Sequence, residues 1–290
     1  MNAQLHKLMD KADLRGQEGD LTSAEKASVL RDLRKSKARR SDLVVKYKSV
    51  ALNSAKSEME RLNLYEQIVI AALDLGETAV TETFIQKLIK RFASSSRVER
   101  LKGMKCEAEG KFDMALAIYA DQLKINPSNM LVMKRKVCIY QAQGRIKEAV
   151  EEMHRILRLF ASDASTWFEL SEVHLSRGEH AEAAHCLEEL VMLSPECAHY
   201  HTRLADIYYT MGSVGDLLLA KKHYTQSLTL QLAPVNLRSI YGLLATCKAL
   251  QAEQHKGDAV QKELLAFSID MVNEISAEQG KVLAFRQTKK

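Results

Sequence analysis

From about residue 62 onward, apolar residues recur at helical spacing in short runs separated by polar turns, and the runs come in pairs. In the first run of a pair the fourth, seventh, eighth and eleventh positions share one helical face, the spacing of a buried stripe. Tyr65, Ile68, Val69 and Ala72 hold these positions in the first pair, Trp167, Leu170, Ser171 and His174 in the fourth, and Leu204, Ala205 and Tyr208 in the fifth. The pattern predicts helices over about 62–74 and 78–91, 96–109 and 113–125, 129–143 and 147–160, 164–177 and 181–193, and 198–211 and 216–230. A further first helix is predicted through 236–250, and Val260, Leu264, Phe267, Met271 and Ile275 continue at helical spacing as a closing helix.

The turns inside the pairs carry their own register. Gly76, Gly110, Gly144, Gly178 and Gly212 follow one another at steps of 34 residues, although the chain has only 12 glycines. A glycine supplies the left-handed residue that ends a helix without a steric cost. Five residues later a small side chain lets the second helix approach: Ala115, Ala149 and Ala183, with Thr81 in the first pair. In the fifth pair Ala220 comes three residues late, which predicts a longer turn through 213–216. Pro127 and Pro195 stop second helices, and Pro234 stands one turn late. Gly103 takes a small place in the second pair.

A 34-residue period of helix, glycine turn and helix is the tetratricopeptide repeat. The fold class is therefore all-α, a right-handed superhelical solenoid with N- and C-terminal capping helices. Its expected core is Tyr65, Gly76, Gly103, Gly110, Ala115, Tyr140, Gly144, Ala149, Trp167, Leu170, Gly178, Ala183, Tyr208, Gly212 and Ala220. The expected organisation is a flexible 1–20, a basic helical cap over 21–61, the solenoid over 62–250, a capping helix over 251–279 and a disordered basic tail over 280–290. Thr22 followed by Glu25 is a capping box that starts a helix near Leu21.

Composition adds location and charge. Hydrophobic residues make up 46% and prolines number three, a helix-tolerant balance. No run reaches the ~18 apolar residues of a spanning helix, and the N-terminal segment has no apolar block of signal-peptide length, so the chain is expected to stay in the cytosol. The five cysteines, Cys106, Cys138, Cys186, Cys197 and Cys247, show no paired spacing and read as free, mostly buried thiols. Residues 1–60 carry 13 Lys and Arg against 9 Asp and Glu, while the remainder is balanced, 29 against 28. The basic stretch from Arg31 to Lys48 suits a solvated helix face, an acidic partner, an anionic membrane surface or RNA.

Catalytic signatures are missing: the sequence has no Gly-rich phosphate loop, no GxSxG and no HExxH, so no enzyme, cofactor or metal is expected. His180 and His185 are five residues apart, a poor match to one helical face, and are not expected to ligate a metal. The surface that first helices would turn inward is Arg97, Arg100, Met104 and Glu107, then Leu131, Lys134, Cys138 and Gln141, then Phe168, Glu172 and Leu175, then Asp206 and Tyr209. Such a mixture of apolar and charged groups suits a helix or extended peptide in a groove. Tetratricopeptide domains that grip acidic chaperone tails share a lysine, two asparagines, a lysine and an arginine. The corresponding places here hold Arg100, Met104, Arg135, Ser165 and Glu169, which argues against that ligand.

Several stretches go beyond the bare repeat. YEQIVIAALDLG from Tyr65, RVERLKGMKCEAEG from Arg97, KRKVCIYQAQG from Lys134, and WFELSEV from Trp167 with AAHCLEEL resemble the family of subunit 2 of the endoplasmic reticulum membrane protein complex. AKKHYTQSL and the later IYGL are similar to it too, so the resemblance covers about 65–244. It implies a non-enzymatic scaffold, peripheral on the cytoplasmic face of the endoplasmic reticulum. Its partners would be cytosolic segments of the membrane subunits and a cytosolic partner subunit, in a complex that inserts tail-anchored and multi-spanning proteins, with no nucleic acid expected. A peptide-binding adaptor of another assembly, or an RNA-binding helical repeat, are the other readings of the same residues.

Overall fold

The computed structural model describes residues 22–36, 38–231, 236–252 and 262–273. The expectations for 1–20 and 280–290, for Pro234, and for Val260 and Ile275 fall outside these residues. All regular structure among the described residues is helical. The helices are α1 Ser23–Ser36, α2 Ser41–Lys46, α3 Lys48–Asn53, α4 Glu58–Asp74, α5 Thr78–Arg91, α6 Ser96–Ala108, α7 Phe112–Ile125, α8 Met130–Ala142, α9 Ile146–Leu159, α10 Ala164–Ser176, α11 His180–Leu193, α12 Ala198–Met211, α13 Val214–Leu230, α14 Leu237–Ala252, and α15 over 262–273. None of them is long and apolar enough to cross a membrane.

Local chemistry sets most of these boundaries. Thr22 and Glu25 form the capping box: the Thr22 N–H donates to the Glu25 carboxylate at 2.8 Å and the Glu25 N–H to Thr22 Oγ1 at 3.3 Å. Ser57, Asn129 and Asp163 accept first-turn N–H groups of α4, α8 and α10. The Ser57 cap places the start of the first repeat helix at Glu58, one turn before the expected boundary at 62. The five register glycines all have φ between +71° and +78°. After four of them the next residue's N–H reaches back to the helix, for example Glu77 to Ala72 at 2.8 Å and Glu179 to His174 at 3.0 Å, the Schellman closure.

The fifth hairpin departs from expectation. Its extra residues do not lengthen the turn, which is only Gly212 and Ser213; they lengthen the second helix, and α13 has 17 residues where α5, α7, α9 and α11 have 14. The cause is a second capping pair. Ser213 accepts from the Asp216 N–H at 3.1 Å while its hydroxyl donates to the Asp216 carboxylate at 2.6 Å, so 214–216 join the helix.

Two compact units divide the chain after Arg145. In the first, Val29, Leu30 and Leu33 of α1 and Leu43, Val44 and Val45 of α2 share one core with Leu64, Ile68 and Val69 of α4. The basic N-terminal helices are thus an integral layer, tied down by Arg34 donating to Gln67 at 2.8 Å and Arg39 Nε donating to Asp74 at 2.8 Å. That pairing with Arg39, together with the Ser41 hydroxyl, holds the Asp74 carboxyl below the usual carboxylate range. In the second unit, Ala183, Leu187, Leu190, Leu204, Ala205, Ala220 and Leu243 form the centre of the core. Leu264 and Leu265 of α15 pack against it, and Ser268 is buried, whereas Phe267, expected on the buried stripe, is 48% exposed.

Of the expected repeat core, Ala115, Ala149, Leu170, Ala183 and Ala220 are fully buried and Tyr208 and Gly103 nearly so, whereas Gly76, Gly110, Gly144, Gly178 and Gly212 are exposed, because each sits in the turn rather than between helices. Tyr65, Tyr140 and Trp167 are only half-buried. Each offers a ring face or a polar group to a neighbour: Lys87 lies 5.4 Å over the Tyr65 ring, Arg145 lies 4.8 Å over Tyr140, and the Trp167 indole N–H donates to the Ala161 carbonyl at 2.8 Å. The cysteines also differ from the sequence reading, with Cys186 and Cys247 buried, Cys106 and Cys197 half-buried and Cys138 exposed. Burial pushes the Cys186 thiol up to about 11.

Candidate partner-binding face

The residues expected to face a partner all stand on first helices of the hairpins, and the structure pairs most of the charged ones with the neighbouring repeat. In the first unit, Glu66 of α4 takes both Arg97 and Arg100 of α6, the latter at 3.4 Å. One repeat later, Glu107 of α6 takes Arg135 of α8, whose Nε lies at 3.0 Å. In the second unit, Glu172 of α10 pairs with Arg203 of α12, and Asp206 of α12 lies 2.7 Å from Arg238 Nε of α14. These pairs link one first helix to the next, since a surface position recurs on the neighbouring hairpin after about one period.

Two of the carboxylates have a second partner, on the second helix of a hairpin. The Tyr119 hydroxyl of α7 donates to Glu107, and the Tyr224 hydroxyl of α13 donates to Asp206 at 2.6 Å. Both tyrosine rings pass close against a glycine on the way to their acid. A Cβ on Gly103 would stand 2.4 Å from Tyr119, and one on Gly242 would stand 2.3 Å from Tyr224. Burial, reinforced by the neighbouring carboxylate, pushes both phenols above their ordinary pKa, so each remains a donor at neutral pH. The sequence reading found Gly103 as a small place but missed Tyr119 and Tyr224. The signal was available in part, as a glycine in mid-helix where helix propensity disfavours it.

What the first unit then offers a ligand is a hollow of about 400 Å³. Leu73, Met104, Cys138 and Ile139 line it, between the Arg39–Asp74 pair on one side and the Arg135–Glu107 pair on the other. Met104, Glu107 and Cys138 of the expected groove are brought together here. Leu131 is 56% exposed, while Lys134 and Gln141 are half-buried. In the second unit the face is aromatic. Phe168 lies with ring centroids 6.0 Å from His199 and 6.4 Å from Tyr200, Leu175 is half-buried, and Tyr209 is 39% exposed.

Behind that face sits a histidine pair. His201 Nε2–H donates to the Pro195 carbonyl at 3.0 Å, which leaves His201 Nδ1 to accept from His223 Nδ1–H, also at 3.0 Å. Tyr208, whose hydroxyl donates to Glu188, stacks on His223. Burial, His201 and Lys222 hold His223 down at about 4, with Glu188 acting in the opposite direction. An unfolded histidine titrates near ~6.5, so the folded form binds this proton less tightly. The stability contributed by neutral His223 is complete above pH ~6.5 and is lost as pH falls towards about 4. Thermal melts between pH 7.5 and 4.5 are expected to show this decline, and His223→Gln is expected to flatten it; an unchanged slope would mean that other groups cause it.

Stacked glycine-turned hairpins with a polar and apolar first-helix face define a tetratricopeptide-repeat protein. A similar fold is seen in the C-terminal part of a TPR repeat-containing protein from Cytophaga hutchinsonii, with a TM-score of 0.52 over 84% of this chain and 98% of that one at 14% identity. The model of the EMC2 TPR-like repeat domain matches residues 78–230, from the start of α5 to the end of α13, and the chain belongs to this family. ER membrane protein complex subunit 2-A of Xenopus laevis is 34% identical over 77% of this chain and 75% of its own length. ER membrane protein complex subunit 2 of Dictyostelium discoideum is 30% identical over 83% and 79%.

Proposed function

We propose that this chain is a non-catalytic scaffold subunit of an endoplasmic reticulum membrane protein complex, held peripherally on the cytosolic side. Its first-helix faces receive cytosolic segments of membrane subunits and a cytosolic partner subunit, and so support insertion of tail-anchored and multi-spanning proteins. The observation that carries this reading is the family match, which covers 78–230 and extends in relatives over about three quarters of both chains. The exposed part of the face, Arg97, Leu131, Cys138, Glu172 and Tyr209, supplies the contact surface; Met104, Phe168 and Leu175 lie half-buried beside it.

Affinity purification of the tagged full chain from gently solubilised membranes tests it. Membrane-spanning subunits of that complex are expected in stoichiometric amounts, and an alkaline wash of intact membranes is expected to release the chain. Recovery of cytosolic chaperones without membrane subunits would overturn the reading.

A further inference from the structure

A second cavity, of about 250 Å³, opens where α4, the end of α5 and the start of α6 meet. Met59, Leu62, Leu88, Phe92, Val98 and Leu101 form its apolar walls. The volume lies below the roughly 300–1,000 Å³ of small-molecule sites, and suits one or two side chains. Apolar surface continues outward from it, since Met59 is 66% and Phe92 39% exposed on its margin.

The rim has a sign. Arg97 and Arg100 share the single carboxylate of Glu66, which leaves one positive charge in excess. Glu66 and Arg100 are mostly covered, and Arg97, whose side chain is 66% exposed, carries the excess to the cavity mouth. The adjacent pair, Arg91 and Glu58, is balanced. Ser95, at the mouth, precedes α6 without making a side-chain cap, so the positive end of that helix adds to the same field.

We propose that this cavity is an anchor pocket for a partner segment in which a large apolar side chain stands beside an aspartate or glutamate. The apolar group fills the space over Leu62 and Leu101, and the carboxylate meets the outer edge of Arg97. This inference rests on the scaffold reading above and names the chemistry of one of its partners.

The test uses the full chain in its assembled complex, with the photo-reactive residue p-benzoylphenylalanine at position 59. Irradiation is expected to give a cross-link to a segment of another subunit with Leu, Ile, Met or Phe next to Asp or Glu. Arg97→Gln, and separately Asn63→Phe, which fills the cavity from α4, are each expected to lower the cross-link yield per recovered complex about tenfold, while helical content stays unchanged. Failure to recover any membrane subunit with the unmodified chain would count against the scaffold reading itself. Recovery of the complex with no cross-link, or with a cross-link to lipid, to a second copy, to residues 1–21 of this chain or to a segment lacking an acid, would overturn the pocket alone.

Discussion

Gly103→Ala is expected to lower the stability of the first unit by about 3 kcal/mol, although alanine is the better helix former by ~1 kcal/mol. The new methyl would stand 2.4 Å from Tyr119 Cε1 and 2.5 Å from Cζ. Tyr119 is fully buried, so the ring has no open side towards which to retreat. Any displacement also breaks its hydrogen bond to Glu107, and a covered donor or acceptor without a partner costs ~1–3 kcal/mol. Urea unfolding followed by circular dichroism would measure the loss, and hydrogen exchange would place it in α6 and α7. Tyr119→Leu should recover part of it in the double variant, because the clash and the ring are one interaction. Gly242→Ala against Tyr224 is the matching case in the second unit. A neutral or stabilising Gly103→Ala would show that the ring does not press on the helix.

Much of this fold was legible because the repeat is written in backbone chemistry. Only glycine sits without strain at φ near +70°, so Gly76, Gly110, Gly144, Gly178 and Gly212 mark the turns directly. The fifth turn was misread because Ser213 and Asp216 suit a turn and a helix start equally well; the capping bonds decide in favour of the helix. The candidate face was legible as a set of positions but not as a set of interactions. Arg97, Arg100 and Glu107 looked available to a ligand, yet each is paired within the protein. Their partners stand 31, 34 and 28 residues away, on neighbouring hairpins whose stagger the period alone does not specify. Acid in one repeat and arginine about one period later was the available signal. The half-buried state of Trp167 was not legible, because the Ala161 carbonyl that holds its N–H belongs to the preceding loop.

Arg135→Met is expected to cost about 2–3 kcal/mol, a larger loss than its surface-helix position suggests. Methionine keeps most of the packing of the arginine stem, so the change falls on Glu107. That side chain is only 11% exposed, and without Arg135 it keeps the Tyr119 hydroxyl as its remaining donor in the ion-pair cluster. Glu107→Gln in the same chain should return at least half of the loss, because a neutral amide still accepts from tyrosine and no longer needs a cation. The control is Arg97→Met. Arg97 is 66% exposed and Arg100 still holds Glu66, so its cost should stay within about 0.5 kcal/mol. Equal costs at the two arginines would show that the pairs are alike in solvation and that the covered state of Glu107 has no energetic weight. With the expected difference, the two arginines have separate jobs: Arg135 shapes the hollow around Met104 and Cys138, and Arg97 is left to meet a partner. Partner capture should then fall with Arg97→Met at nearly constant stability, whereas with Arg135→Met capture and stability should fall together.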